Sequence, residues 1–238
     1  VGAAMVALAL ALGITAIVAP LSFERVPPRL AGLPVVAVAL LFIVAVDGRL
    51  SRLDGGLLLL AYLGAVGLLV QWERQGVRVV PEGDAEKADG IRGWQAGAWF
   101  AAAIVGVILG SEVLLRGARP LIEALGWTDT LFGMTVLALL VSVEEVAREL
   151  PAALKGRPDI SIGNVVGSAL AFFCFNAGVI ALLRPITVGG VTRWFYLPVT
   201  LVTVLFISGC LAARTVPRWA GVCLLLLYGG FVAGPLVV

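Results

Sequence analysis

Histidine is absent from the 238-residue sequence, and charged residues are scarce, at 13% of the chain. Without histidine the chain lacks the commonest metal ligand and the usual proton carrier at neutral pH. Any ion or acid-base chemistry therefore falls to carboxylates, hydroxyls and carbonyls. The net charge of +2 is too small to indicate binding to nucleic acid. The three cysteines, Cys174, Cys210 and Cys223, lie in apolar runs without CxxC spacing, so they are interpreted as core residues.

Apolar residues dominate the composition of the sequence. They make up 61% of the sequence, and the mean hydropathy is +1.06, whereas soluble domains are about 45–50% apolar. Eight apolar segments have about the length needed to cross a hydrocarbon core of about 30 Å. They cover approximately residues 2–19, 30–46, 55–70, 94–115, 130–154, 160–184, 195–213 and 218–236. The composition thus predicts an all-α polytopic protein whose partner is the lipid bilayer. We expect this bilayer to be a bacterial plasma (inner) membrane.

The end of the chain repeats its beginning. Residues 1–23 align with residues 166–188 without a gap, and this alignment pairs Gly13 with Gly178. Two helices precede the second copy, so that half contains five crossings. An odd number of crossings per repeat places the two copies in opposite orientations, which is the inverted-repeat plan of secondary transporters. We therefore expect eight of ten transmembrane helices in this sequence.

Hydropathy and the internal repeat together divide the chain into three predicted parts. Residues 1–71 form the remainder of the first inverted repeat, with three helices, and residues 96–238 form the second, with five. Residues 72–95 are charged and glycine-rich, which indicates a solvated linker. The distribution of Lys and Arg between the loops favours a cytoplasmic position for this linker.

The hairpin 131–176 is the candidate functional element, because polar side chains interrupt its first apolar segment. These are Ser142, Glu144, Glu145, Arg148 and Glu149. An ionised side chain at mid-membrane depth costs about 2.5–3.5 kcal/mol on insertion scales and often marks an ion pathway. The spacing places Ser142, Glu145 and Glu149 on one helix face, with Glu144 and Arg148 on an adjacent face. Alternatively, Glu144, Arg148 and Glu149 form a self-neutralising network near the helix end.

Adjacent carboxylates in a medium of low dielectric constant resist full ionisation, because desolvation and like-charge repulsion both oppose it. One of the two therefore retains a proton easily. We predict that Glu145 together with Glu144 exchanges H⁺ against a monovalent or divalent cation.

Four motifs carry a resemblance to a known family. They are Gly133-Met-Thr135, Ser142-x-x-Glu145, Gly156-x-x-Asp159 and Gly163-Asn164-x-x-Gly167-Ser168. This series resembles the α-repeat of the sodium/calcium exchanger (calcium/cation antiporter, CaCA) superfamily. The resemblance implies a secondary active antiporter that exchanges Na⁺ or H⁺ for Ca²⁺ or another cation by alternating access. It implies inorganic cations as partners and no cofactor other than the transported cation.

The resemblance also implies roles for residues of the hairpin. Glu145 takes the position of the family's central carboxylate, Ser142 that of a coordinating hydroxyl and Ser168 that of the serine on the partner helix, so these three are the predicted metal ligands. Asn164 occupies the Asn of the helix-opening Gly-Asn pair. The full set of candidate ion- or proton-binding residues adds Glu144, Glu149, Asn176 and Thr135.

Several family positions differ in this sequence. Glu144 replaces the proline before the central carboxylate, and Ala169 and Phe172 replace two Asn or Asp ligand positions. Asn176, one turn beyond Phe172, is a possible substitute. Because Ca²⁺ takes six to eight oxygen ligands, the alternative is a degenerate, non-transporting membrane protein that retains the exchanger fold.

An enzymatic function is the remaining class. Glu144 and Glu145 followed by Arg148 are similar to the double-Glu motif of intramembrane CAAX-type proteases. Those enzymes place the Arg one residue further along and need histidines, which this sequence lacks. We therefore predict that the protein is not an enzyme.

Overall fold

The computed structural model describes residues 1–23, 28–75, 93–126, 128–141 and 143–237. These ranges are almost entirely helical, which confirms the all-α class. The helices are α1 (Gly2–Val18), α2 (Pro28–Ala45), α3 (Arg52–Arg74), α4 (Gly93–Leu125), α5 (Asp129–Leu140), α6 (Val143–Leu154), α7 (Pro158–Leu183), α8 (Thr192–Ala212) and α9 (Arg218–Val237). The strands are β1 (Leu21–Ser22), β2 (Arg49–Leu50), β3 (Ile186–Thr187) and β4 (Thr215–Val216).

The chain forms two compact units. One contains α4 and the start of α5, up to Gly133, and the other contains the remaining helices and all four strands of the described ranges. The larger unit holds the hairpin of α6 and α7, so the description below concerns that unit.

Two predicted helix boundaries are wrong. The segment expected at 94–115 continues as helix to Leu125, because the residues after 115 include strong helix formers. It stops at Gly126, whose φ of +64° is one that glycine adopts without strain. The segment expected at 130–154 is two helices, α5 and α6, which meet at a bend of 42° beside Ser142. Ser142 lies outside the described residues, as does most of the predicted linker 72–95.

Three helices of the described ranges are long and apolar enough to cross a membrane, namely α3, α7 and α8. The bent pair of α5 and α6 makes a fourth if it counts as one span, and 2–18, 29–45 and 218–234 are shorter apolar helices. The outer face of α3 carries large exposed apolar side chains such as Leu60 and Leu63, which suits contact with lipid. The count of eight transmembrane helices stays a prediction.

Short strands join the two halves of the larger unit reciprocally. β1 pairs antiparallel with β4, and β2 pairs antiparallel with β3. The sequence repeat relates β1 to β3 and β2 to β4. The first strand of each copy therefore pairs with the second strand of the other copy, as an internal twofold axis requires.

Close helix crossings repeat in the same way. Helix α1 packs on α9, and α3 packs on α7. At the first crossing an added Cβ on Gly221 would lie 2.7 Å from the Gly13 carbonyl oxygen, and at the second an added Cβ on Gly55 would lie 2.7 Å from that of Gly178. Small residues allow this backbone approach, which stabilises helix pairs in membranes by van der Waals contact.

Helix α1 lies at the centre of the larger unit. Met5, Leu8 and Leu12 are at most 1% exposed, and the helix contacts α6, α7 and α9. Residues 6–11 of α1 form a π-helical segment, as do residues 171–176 of α7 at the equivalent place in the repeat. Such segments in α-helices occur often at functional sites. The centre of the fold is therefore built from the two repeated helices.

The glycine crossings predict a specific loss of stability. Gly55→Ala and Gly221→Ala place a methyl group against backbone atoms 2.6–2.7 Å away, so each is expected to destabilise the protein by about 1–3 kcal/mol. The matched control is Gly56→Ala on the same helix, because its added Cβ has no atom within 4 Å. Thermal unfolding in detergent measures the effect. Equal melting temperatures for all three variants would contradict the close packing.

Candidate functional site

The turn between α6 and α7 sets the geometry of the hairpin. Gly156 has φ +71°, which glycine tolerates after a helix end. Pro158 then begins α7, where its fixed φ suits the first helical turn. Because the two helices run back along each other, residues of α6 face residues of α7 in antiparallel order.

Two hydrogen bonds connect the facing helices. Ser168 Oγ donates to Glu145 Oε1 at 3.3 Å, and Asn164 Nδ2 donates to Glu149 Oε1 at 2.7 Å. All four side chains are buried, with Glu145 6% exposed and Glu149 fully enclosed. Glu145 and Glu149 lie on one face of α6, as their spacing requires. We call these four residues the carboxylate ladder.

Polar atoms within and beside the ladder lack partners. Glu145 Oε2, Glu149 Oε2 and Ser161 Oγ are enclosed and make no hydrogen bond among the described residues. Ser161 precedes Asn164 by one turn, and the antiparallel register places it opposite Ala152. Buried polar groups are normally satisfied. Unpaired oxygens clustered in one interface are available to a ligand.

No positive charge faces the ladder from the helices that pack most closely on α6. Helix α1 has no charged residue, and α7 has only Asp159, which is exposed and pairs with Arg157 at 3.4 Å. Arg148, on α6 itself, is also exposed. A buried charge requires a partner or neutralisation, which a proton or a cation would supply to these two carboxylates.

The structure separates the other predicted residues from the ladder. Glu144 and Arg148 are exposed, and no ion pair joins them in the described part of the chain. Glu145 therefore has Glu149, and not Glu144, beside it in the interface. Asn176, at the end of the π-helical segment of α7, is exposed. Thr135 is 7% exposed in the π-helical segment of α5. Ser142, also predicted as a ligand, lies outside the described residues.

Two buried hydroxyls on the helices that pack against α6, without partners among the described residues, were not predicted, Ser161 on α7 and Thr15 on α1. Ser161 shares the spacing of Asn164 and Ser168 along α7, so the face that these residues form could have identified it. Thr15 is fully enclosed on α1, and its Oγ1 has no partner among the described residues. The only signal for Thr15 was a lone hydroxyl in an apolar helix, which is a weak indication.

No group of three or more Cys, Asp or Glu side chains with metal-binding geometry occurs among the described residues. A cation at this hairpin would therefore rely on one or two carboxylates with hydroxyl, amide or carbonyl oxygens. This donor set consists of hard oxygen ligands, which suit alkali and alkaline-earth cations and Mn²⁺ better than the softer transition metals.

Buried carboxylates on α6, packed against the repeated helices α1 and α7, are the arrangement expected of an integral membrane protein of the cation antiporter class. Residues 96–237 match the family model described as "Sodium/calcium exchanger protein", and the chain belongs to that family. This is a family of transporters. The four motifs between Gly133 and Ser168 lie within the matched range.

Relatives of known name agree with this family. The chain is 26% identical over 230 residues to "Putative antiporter CaxA" of Alkalimonas amylolytica, a match that covers 93% of this chain and 72% of that protein. It is 28% identical over 243 residues to "Inner membrane protein YrbG" of Escherichia coli, covering 97% and 73%. A solved structure of the sodium-calcium exchanger NCX_Mj, soaked with Na⁺ and Sr²⁺, superposes with a TM-score of 0.67 at 22% identity, covering 98% of this chain and 74% of that chain. This last match shows the fold.

The ladder predicts an energetic coupling between Asn164 and Glu149. Asn164→Ala removes the donor to an enclosed carboxylate, so we expect a loss of about 1–3 kcal/mol. The loss should be smaller in a Glu149→Gln background, because the group left without a donor is then neutral. A double-mutant cycle of thermal unfolding measures this difference.

The control for this cycle is Asn176→Ala, the same change at an exposed position of the same helix. It should leave the melting temperature unchanged. Additive effects of Asn164→Ala and Glu149→Gln would show that the hydrogen bond contributes nothing to stability.

Proposed function

We propose that the protein is a secondary active antiporter that exchanges a metal cation for H⁺ or Na⁺ by alternating access across a bacterial inner membrane. The observation that carries the proposal is the pair of enclosed carboxylates without a basic partner in the helices that pack most closely on them. Such a pair is costly inside a membrane unless a transported ion neutralises it. The names of the relatives, an antiporter and an inner membrane protein, support the class and the location.

The cation site proposed here consists of Glu145 and Ser168, together with Ser142, which precedes Glu145 by three residues in the sequence. Glu145 Oε2 is enclosed and unpartnered, so it is available as a ligand. Ser168 now donates to Glu145, and its hydroxyl oxygen can accept a cation once its proton turns away. Because Ca²⁺ takes six to eight oxygens, water and backbone carbonyls would complete the coordination.

Alternating access needs elements with two arrangements around a fixed site. The break between α5 and α6 lies next to Glu145 on the same span. Broken helices at membrane depth are tolerated where they are buried in protein or line a water-filled cavity. The reciprocal strand pairing supports an internal twofold relation between the halves. The break and this symmetry together support a mechanism in which one repeat rocks against the other.

Transport by reconstituted protein tests the proposal. The full-length protein in vesicles loaded with Ca²⁺ is expected to release it when an opposing H⁺ or Na⁺ gradient is imposed. Glu145→Gln should lower this flux at least tenfold, because it removes the charge that holds the cation. The matched control, Glu73→Gln, changes an exposed carboxylate at the end of α3 and should leave the flux intact. Flux that survives Glu145→Gln would refute the assignment of the site.

The effect of cations on thermal stability distinguishes the proposed antiporter from a non-transporting protein that retains the fold. A ligand that binds only the folded state at a hundred times its dissociation constant stabilises the protein by about 2.7 kcal/mol. We therefore expect the melting temperature of the full-length protein to rise with added Ca²⁺, and the rise to disappear in Glu145→Gln. Mg²⁺ at equal ionic strength controls for screening. A melting temperature that no cation changes would favour the non-transporting alternative.

A further inference from the structure

Glu149 has no role in the proposed cation site, yet it is the more deeply enclosed of the two carboxylates. It is fully buried, and its Oε1 accepts a hydrogen bond of 2.7 Å from Asn164. Its Oε2 is enclosed and without a partner among the described residues. A carboxylic acid group with one oxygen fixed and one free can carry a proton on the free oxygen.

The charges around Glu149 favour protonation of its carboxylate when no cation is bound at Glu145. The charged residues near it along α6 are Glu144, Glu145 and Arg148, and of these only Glu145 is buried. Helix α1 brings no charge, and Asp159 of α7 is exposed and paired with Arg157. Glu145 lies one helical turn away, so ionising both acids places two like charges in one enclosed interface.

The surroundings of Glu149 fit a proton better than a metal ion. Asn164 presents its amide nitrogen, a donor that repels cations. On the side of Glu149 away from Glu145, the only other buried polar side chain in the described parts of α6 and α7 is Ser161. A cation there would meet one hydroxyl and the amide donor of Asn164, whereas a proton needs only the free oxygen of Glu149.

We propose that Glu149, held by Asn164, is a proton site separate from the cation site at Glu145, and that it carries the H⁺ exchanged for the cation. This inference rests on the proposed antiporter function. When a cation binds at Glu145, the repulsion across one turn is removed, and Glu149 releases its proton from Oε2 to water on the open side. When the cation leaves, Glu149 takes up a proton again. Occupancy of the two sites thus alternates.

Two modes of exchange measured on the full-length protein in vesicles test this. Release of ⁴⁵Ca²⁺ against a pH gradient requires both sites, whereas exchange of ⁴⁵Ca²⁺ against unlabelled Ca²⁺ at equal pH requires only the cation site. Glu149→Gln mimics the protonated acid permanently. It should lower the pH-driven flux at least tenfold and leave Ca²⁺/Ca²⁺ exchange within twofold of the unmodified protein. Glu145→Gln should abolish both modes, and Glu73→Gln should change neither.

Each other outcome overturns the inference. If Glu149→Gln keeps both modes, Glu149 carries no proton, and if it loses both, Glu149 belongs to the cation site. Ca²⁺ release driven by a Na⁺ gradient and indifferent to pH refutes the proton site but leaves the antiporter function standing. No Ca²⁺ transport of either mode by the unmodified protein refutes both proposals.

A second variant tests the proposal independently, in case Glu149→Gln does not fold. Asn164→Ala keeps the acid and removes the donor that fixes its orientation. The pH-driven flux should change at least threefold at fixed pH, and Ca²⁺/Ca²⁺ exchange should stay within twofold. Equal changes in both modes, or no change in either, contradict the assignment of Asn164 and Glu149 to a separate proton site.

Discussion

The energetic cost of two enclosed carboxylates governs the architecture of this protein. Glu145 and Glu149 share one face of α6, and the helices that pack most closely on that face bring no Lys or Arg. Apolar packing alone cannot offset the loss of hydration of an isolated ion. The facing polar groups, Ser168 and Asn164, satisfy only one oxygen of each carboxylate. A bound proton or cation would neutralise what these hydrogen bonds leave unsatisfied.

The glycine crossings make this interface possible by fixing the helices around it. Gly13 against Gly221 and Gly55 against Gly178 bring backbones together at equivalent places of the two copies. Helix α1 is thereby held at the centre, where its uncharged surface covers α6. The close crossings lie on α1, α3, α7 and α9, whereas the bend beside Glu145 lies between α5 and α6. Close backbone packing and the broken helix therefore occur in different parts of the chain.

Much of the fold followed from the sequence, because hydropathy, helical spacing and the repeat are properties of neighbouring residues. The all-α class and the common face of Glu145 and Glu149 needed no tertiary information. Tertiary information was needed to identify the carboxylate next to Glu145. Adjacency in sequence favoured Glu144, but successive residues of a helix point about 100° apart. In the structure Glu144 is exposed. The bend between α5 and α6 was also not predicted, because the flanking residues Val141 and Val143 are as apolar as those of a continuous transmembrane helix.

The polar face of α7 explains how the chain departs from the pattern its family resemblance implies. The positions that the resemblance assigns to Asn or Asp ligands hold Ala169, which is fully enclosed, and Phe172. The matching positions Asn164 and Ser168 keep their polar residues, and these two side chains bond the buried carboxylates of α6. Ser161 continues this polar face toward the turn at Gly156. Because Ala169 and Phe172 offer no side-chain oxygen while Glu149 adds a buried carboxylate opposite Asn164, the buried polar groups of the described hairpin lie on the side of Ser168 nearer the turn. A carboxylate with a single amide partner suits a proton, which is why the proposed exchange assigns H⁺ to this side.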